Sequence, residues 1–214
     1  MTDGIAWLAV PRSIAYGGYS VVLARGLDAG ELATRLAGAV YGPPRTVLPL
    51  GELTAGELIE ALEGEDGDYP EEAALRLFED GEWVVAVMYG LWQGEFEVLT
   101  PVSRGGAHVF HLEFEEENGK PVPPYFGYFH DGRVMCFFNL HLDYSWGYDG
   151  VSGEPEVARP VQELLTAAGL PGENLPMRGA HRISLEVLER HFGLSLPRTR
   201  ILDEALPAVV LETA

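Results

Sequence analysis

The densest set of side chains that could do chemistry in this chain is the run Asn139-Leu140-His141-Leu142-Asp143-Tyr144-Ser145-Trp146-Gly147-Tyr148-Asp149. Side chains on an extended strand alternate between faces, so Asn139, His141 and Asp143 would share one polar face and Leu140 and Leu142 the other. An imidazole titrates near neutrality, so His141 could act as a general base with Asp143 orienting its ring. Tyr144, Trp146 and Tyr148 would then grip a flat ligand, and the whole would be a small-molecule binder or an enzyme. A plainer reading makes the same run a solvent-facing strand edge followed by an aromatic loop packed over a sheet, since aromatics are ordinary packing residues. Between these lies an interaction surface, because Trp and Tyr anchor protein interfaces inside a polar rim. The binding candidates are then Asn139, Tyr144, Trp146 and Tyr148. Trp92 joins them from the bend Trp92-Gln93-Gly94, where its indole would otherwise cover a sheet edge.

Other chemistries have less to build on. His108, His111, His130 and His141 fall in or beside one strand-rich region and could converge on a metal. Yet His108 and His111, three apart, would face opposite sides of a strand, and there is no His-Glu-x-x-His or cysteine pair, so no metal and no cofactor is expected. His181 reads as a loop residue and His191 as a cation near a helix C-terminus. Cys136 sits in Val134-Met135-Cys136-Phe137-Phe138, the company of a buried structural thiol. Glu113, Glu115, Glu116 and Glu117 read as a solvated hairpin end. Tyr16-Gly17-Gly18-Tyr19-Ser20 lacks the strand-turn-helix context that exposes a nucleophilic serine, and no glycine-rich nucleotide loop is present.

The elements that would position these residues follow from local signals. Tyr19–Ala24 reads as a strand, and Asp28 caps a helix whose apolar face is Leu32, Leu36 and Val40, ended by Gly42-Pro43-Pro44. Thr54 and Glu57 form a capping box ahead of Leu58, Ile59 and Leu62, with Gly64 as the stop. Ala73–Phe78 and Trp83–Tyr89 flank Asp80-Gly81 as a hairpin, and Tyr125–His130 and Arg133–Leu140 flank Asp131-Gly132 as a second. Between them Gly94–Arg104 predicts a short helix burying Phe96, Leu99 and Val102, and Ala107–Glu115 another strand. Helical patterns occupy Pro155–Ala168 and Ser184–His191. The sum is an α+β chain: a single antiparallel sheet of about five or six strands, with helices near the N-terminus and at the C-terminus.

With 214 residues, 47% of them apolar, the chain can bury a substantial core, and one acidic domain is the simplest division. It carries 33 acidic against 14 basic residues, a net charge of −19. The arginines are scattered singly between Arg12 and Arg200, so phosphate backbones and anionic membranes would be repelled, and neither nucleic acid nor membrane is an expected partner. A basic protein would be attracted. Lys120 is the sole lysine, a skew that accompanies GC-rich coding and points to a bacterial source. The lone cysteine leaves no disulfide framework, Asp3 stands where a signal peptide carries positive charge, and no apolar run approaches the ~20 residues of a membrane span. The expected compartment is the cytoplasm.

Arg25-Gly26-Leu27-Asp28 before a helix, Gly81-Glu82-Trp83 entering a strand, Trp92-Gln93-Gly94 followed by Glu97-Val98-Leu99, Asp131-Gly132-Arg133 in a hairpin, then Leu188-Glu189-Arg190 and Gly193-Leu194-Ser195-Leu196 follow one another along the chain. In that order the chain resembles an uncharacterised family of high-GC bacteria, domain-of-unknown-function 6461, over residues 19 to 200. The segments 115–124 and 64–70 look expanded relative to the pattern. The resemblance implies a bacterial α+β domain and brings no catalytic residues. Function is therefore expected to be that of a non-enzymatic protein-binding module, of immunity or regulatory type, with Trp146 or Tyr148 as anchor. The alternative is the small-molecule binder or enzyme built on His141 and Asp143.

Overall fold

Strands occupy more of this chain than its local signals suggest. The protein is seen in a computed structural model that describes residues 3–15, 17–43, 45–62, 72–90, 99–115, 123–142, 149–172 and 176–213. It is α+β with one antiparallel sheet. The strands are β1 (Gly18–Arg25), β2 (Arg45–Leu53), β3 (Ala73–Asp80), β4 (Trp83–Tyr89), β5 (His108–Glu115), β6 (Tyr125–His130), β7 (Arg133–Asn139), β8 (Ser152–Gly153) and β9 (Leu206–Thr213). Their order is β2-β9-β3-β4-β1-β5-β6-β7-β8, nine strands where the pattern predicts five or six. The three additional ones are β2, β8 and β9. Pro49 and Gly51 interrupt β2, Pro207 stands second in β9, and β8 is two residues long, so none shows an unbroken β-prone run. The helices are α1 (Ala29–Ala37), α2 (Ala55–Leu62), α3 (Pro155–Ala167), α4 (Met177–Phe192) and α5 (Arg198–Asp203). A strand, β9, follows the last of them, so the C-terminal end is not helical as expected.

The chain clusters into two compact units, one of residues 1–19, 112–128 and 134–198, the other of residues 20–111, 129–133 and 199–214. In the second unit the Asp28 carboxylate accepts the Glu31 N–H at 2.8 Å and α1 buries Leu32, Ala33, Leu36 and Ala37. Asp28→Ala is expected to lower stability by ~1 kcal/mol and Asp28→Asn to leave it nearly unchanged, both read from urea midpoints. The capping box of α2 is present: the Thr54 N–H donates to Glu57 Oε2 at 2.8 Å and the Glu57 N–H to Thr54 Oγ1 at 3.3 Å. The Thr54 N–H and then the Thr54 hydroxyl, which also donates to Glu57 Oε2 at 2.8 Å, hold the Glu57 carboxyl below its ordinary range. β3 and β4 form the expected hairpin across Asp80-Gly81, where Gly81 takes the left-handed φ of 62° the turn requires. The helix predicted over Gly94–Arg104 is not found among its described residues: Thr100–Gly106 is turn, although Leu99 and Val102 are buried as expected.

Strand β9 lies between β2 and β3 and pairs antiparallel with both, Leu211 standing opposite Val47 on one side and Ala73 on the other. In this ladder Arg76 of β3, opposite Ala208, is fully buried, and among the described residues no carboxylate accepts its hydrogen bonds. Its guanidinium donates instead to the carbonyls of Leu53, Ile201 and Glu204 and to the Tyr89 hydroxyl, at 3.0 Å for Leu53 and 2.8 Å for Ile201. It thereby ties the ends of β2 and α5 to the β3–β4 hairpin.

The first unit holds a short 3-10 helix, Ala6–Ala9, and α3 and α4. The Glu189 carboxylate accepts the N–H groups of Ile5 at 2.8 Å and Ala6 at 3.3 Å, so a side chain of α4 caps the 3-10 turn. Helix α4 begins at Met177, not Ser184: its N-cap is Pro176, which offers no capping side chain, and its C-cap is the left-handed Gly193. Gly18 is needed where it stands, because a Cβ there would collide with the Phe114 carbonyl.

Candidate functional site

β7 stops at Asn139, and that decides how the chemistry-rich run is presented. The Leu142 N–H donates to the Asn139 carbonyl at 3.1 Å, with Leu142 in the left-handed region at φ 54°. His141 therefore sits in a turn, and the period-two polar face expected of Asn139, His141 and Asp143 does not continue past Asn139. Burial pulls the run inward at Leu140 and Leu142. The Leu140 N–H donates to the Pro124 carbonyl at 2.7 Å, and its own carbonyl accepts the Ser184 hydroxyl at 3.1 Å. Asn139 and His141 are half-buried. Asp143, Tyr144, Trp146, Tyr148 and Trp92 lie outside the described residues.

The turn delivers His141 to an aromatic cluster. Its ring meets Phe114 edge-on at 5.7 Å and His181 at 5.5 Å, and His181 meets Phe114 at 5.4 Å. The Tyr19 hydroxyl lies 2.7 Å from His181 Nε2. His181 is thus not a loop residue: it belongs to the second turn of α4 and is 1% exposed. Burial, with the neighbouring charges of His141 and Arg178, pushes its pKa down to about 3. Burial and then the Glu113 carboxylate hold the Tyr19 hydroxyl well above its usual range. Both partners are neutral at pH 7 and share one hydrogen bond. A general base works best with a pKa near the working pH. Tyr19 and His181 are far from that on both sides, so the pair orients and packs and is poorly suited to moving protons.

The other histidines separate as the strand period demands. His111 is buried, which pushes it down to about 3, while His108 is half-exposed and stacks on His130 at 4.0 Å. His108 is also held below its ordinary value, by burial first and then by His130 and Arg25. Among the described residues no group of three or more His, Cys, Asp or Glu side chains could hold a metal ion. Cys136 is buried, its thiol pushed up to about 12, the inert state expected of it.

One feature of the first unit had no signal in the sequence. Between the 3-10 helix and the first turns of α4 runs an open groove of about 490 Å³, walled by Trp7, Val10 and Pro11 on one side and Arg178, Gly179 and Arg182 on the other. The Trp7 indole N–H donates to the Leu196 carbonyl at 3.0 Å, and the Arg198 guanidinium lies 5.9 Å from the centre of its ring. The arginines that look scattered in sequence are gathered here by helical spacing, Arg178 and Arg182 being one turn apart. Trp7 is far from both in sequence, which is why no motif announces the site. Among the described residues no helix is long and apolar enough to cross a membrane. No family model, curated protein or solved structure matches the chain.

Proposed function

We propose that this chain is a non-enzymatic protein-binding module, of immunity or regulatory type, whose acidic surface docks a basic partner. The observation that carries the reading is the stretch from Thr46 to Leu75, which holds nine carboxylates and no basic residue. Glu52, Glu57, Glu60 and Glu72 are exposed there, and beside them on β2 the large side chains of Leu48 and Leu50 are 38% and 39% exposed. A single-sign field raises the encounter rate with a cationic protein, and exposed aliphatic side chains within it supply the area that holds the complex. Trp146 and Tyr148 remain the proposed aromatic anchors, and likeness to domain-of-unknown-function 6461 belongs to the same proposal. The alternative, catalysis or ligand binding on His141 and Asp143, draws no support from the described residues, because the His141 ring packs on Phe114 and His181.

The test is a pull-down from the native host with the whole chain as bait, at low and moderate salt, identified by mass spectrometry. The expected capture is one basic protein, lost at the higher salt and lost with Glu52→Lys/Glu60→Lys bait. Capture that is indifferent to both salt and charge reversal, or no capture at all, sinks the reading.

A further inference from the structure

Strand β2 forms one edge of the sheet. It stands first in the strand order, with β9 as its one neighbour among the described residues, while the strand at the other edge, β8, is two residues long. An edge strand presents main-chain N–H and C=O groups on its outer side, and proteins blunt such edges with charge, proline or a bulge. In β2 these devices gather in the second half: Pro49, which has no N–H, the register shift between Pro49 and Gly51, and Glu52. The first half is left open. Residues 45–48 run in unbroken register against residues 213–210 of β9, so they keep the extended geometry that another strand can join. Arg45 does not guard this half, because its guanidinium is folded back onto the Leu211 carbonyl at 3.3 Å. Solvent reaches β2 on both faces: Thr46 and every residue from 48 to 52 are exposed, and consecutive residues of a strand point to opposite sides. Among the described residues no atom comes within 4 Å of where a Cβ on Gly51 would stand.

We infer that β2 takes an added strand: a short extended segment of a partner protein, in which Lys or Arg stands beside β-branched or aliphatic residues, pairing along residues 45–48. This pairing rests on the acidic docking surface proposed above and gives the conformation in which the basic partner is held there. Main-chain hydrogen bonds supply the ladder whatever the partner's sequence, so selection falls to the side chains that flank it. Leu48 and Leu50, 38% and 39% exposed, offer aliphatic contact to the incoming side chains. Glu52 at the far end of the strand and Glu60 on α2, both exposed, offer the opposite charge to the segment's basic residues. A second copy of this chain is a poor occupant, since it would bring the same net charge of −19 and the same carboxylates to the contact.

The experiment selects a displayed library of random peptides on the immobilised whole chain, then follows backbone hydrogen–deuterium exchange with the leading peptide in solution. Amides of residues 45–48 that face away from β9 exchange readily in the free chain and should slow when the peptide pairs with them. The peptide should combine Lys or Arg with Val, Ile, Thr or Leu, and its Kd should rise at least ~10-fold on Glu52→Lys/Glu60→Lys. Alternation turns the amide of either Thr46 or Val47 outward. Of Thr46→Pro and Val47→Pro, the variant that keeps the parent's urea midpoint should lose the peptide. Charge-dependent binding that leaves exchange at residues 45–48 unchanged, or a folded proline variant that binds as the parent does, overturns the added strand and leaves the acidic docking surface standing. Binding indifferent to the charge reversal, or no peptide selected, overturns both. Slowed exchange at residues 45–48 that grows with protein concentration in the absence of peptide assigns the edge to a second copy and overturns the inference as well.

Discussion

Arg76→Met will destabilise the protein by about 3–5 kcal/mol, a loss large enough to consume much of the margin of a typical domain. Replacing buried ion pairs with apolar side chains is often harmless, because both charges are removed together. Arg76 is a different case. Its partners are the backbone carbonyls of Leu53, Ile201 and Glu204 and the Tyr89 hydroxyl, and the carbonyls stay behind when the guanidinium goes. Each buried acceptor left without a donor costs ~1–3 kcal/mol, partly recovered where the chain relaxes. Methionine restores the volume of the stem, so the deficit reports hydrogen bonding and not a cavity. Arg76→Lys should fall between, since a tetrahedral ammonium cannot span acceptors arranged around a planar fork. Urea denaturation measures all three proteins, and a methionine variant within ~1 kcal/mol of the parent would show that these carbonyls find other donors.

Stability should also fall steeply as the pH drops below about 6.5. His111 and His181 are buried and neutral, each with its folded pKa pushed down to about 3. In the unfolded chain each binds a proton near pH 6.5. Below that pH the unfolded state holds more protons than the native state, so the contribution of the neutral histidines is complete above pH 6.5 and drains away as the pH falls toward 3. Each contributes a slope of roughly 1.4 kcal/mol per pH unit, so the two together reach roughly 3 kcal/mol per unit. Between pH 6.5 and 5 most exposed carboxylates remain ionised, which leaves the histidines to carry the slope. Urea midpoints at pH 7, 6 and 5 should decline accordingly, and His111→Leu should remove about half of the decline whatever it does to absolute stability. A flat profile over that range would mean the two rings are accessible to protons in the folded state.

Which parts of this architecture could be read ahead of the structure depends on how far apart the cooperating residues lie. The Asp28 cap, the Thr54–Glu57 box and the turns at Asp80-Gly81 and Asp131-Gly132 are each written within four residues, and each is found where the pattern puts it. β2 and β9 were hidden by Pro49, Gly51 and Pro207, residues that usually mark breaks. Proline is tolerated on an edge strand such as β2 and near the start of a strand such as β9. The register of β2 also shifts between Pro49 and Gly51, so alternation fails there. Helix α4 lost its first two turns to the reading because Pro176 is a cap without a side-chain acceptor and Gly179 lowers helix propensity. The site was less accessible still. Tyr19 and His181 are 162 residues apart, and the groove joins Trp7 to Arg178 and Arg182, so the pairing exists only once the chain is folded.

The position of β9 imposes a waiting time. β2 and β3 leave the ribosome well before Leu206, yet the strand that belongs between them is made after the other eight. At ~5–20 residues per second the delay is on the order of ten seconds, during which both strands offer unpaired backbone to any neighbouring nascent chain. The carboxylates between Thr46 and Leu75 emerge on that same stretch. Their mutual repulsion keeps chains on adjacent ribosomes apart until the closing strand arrives.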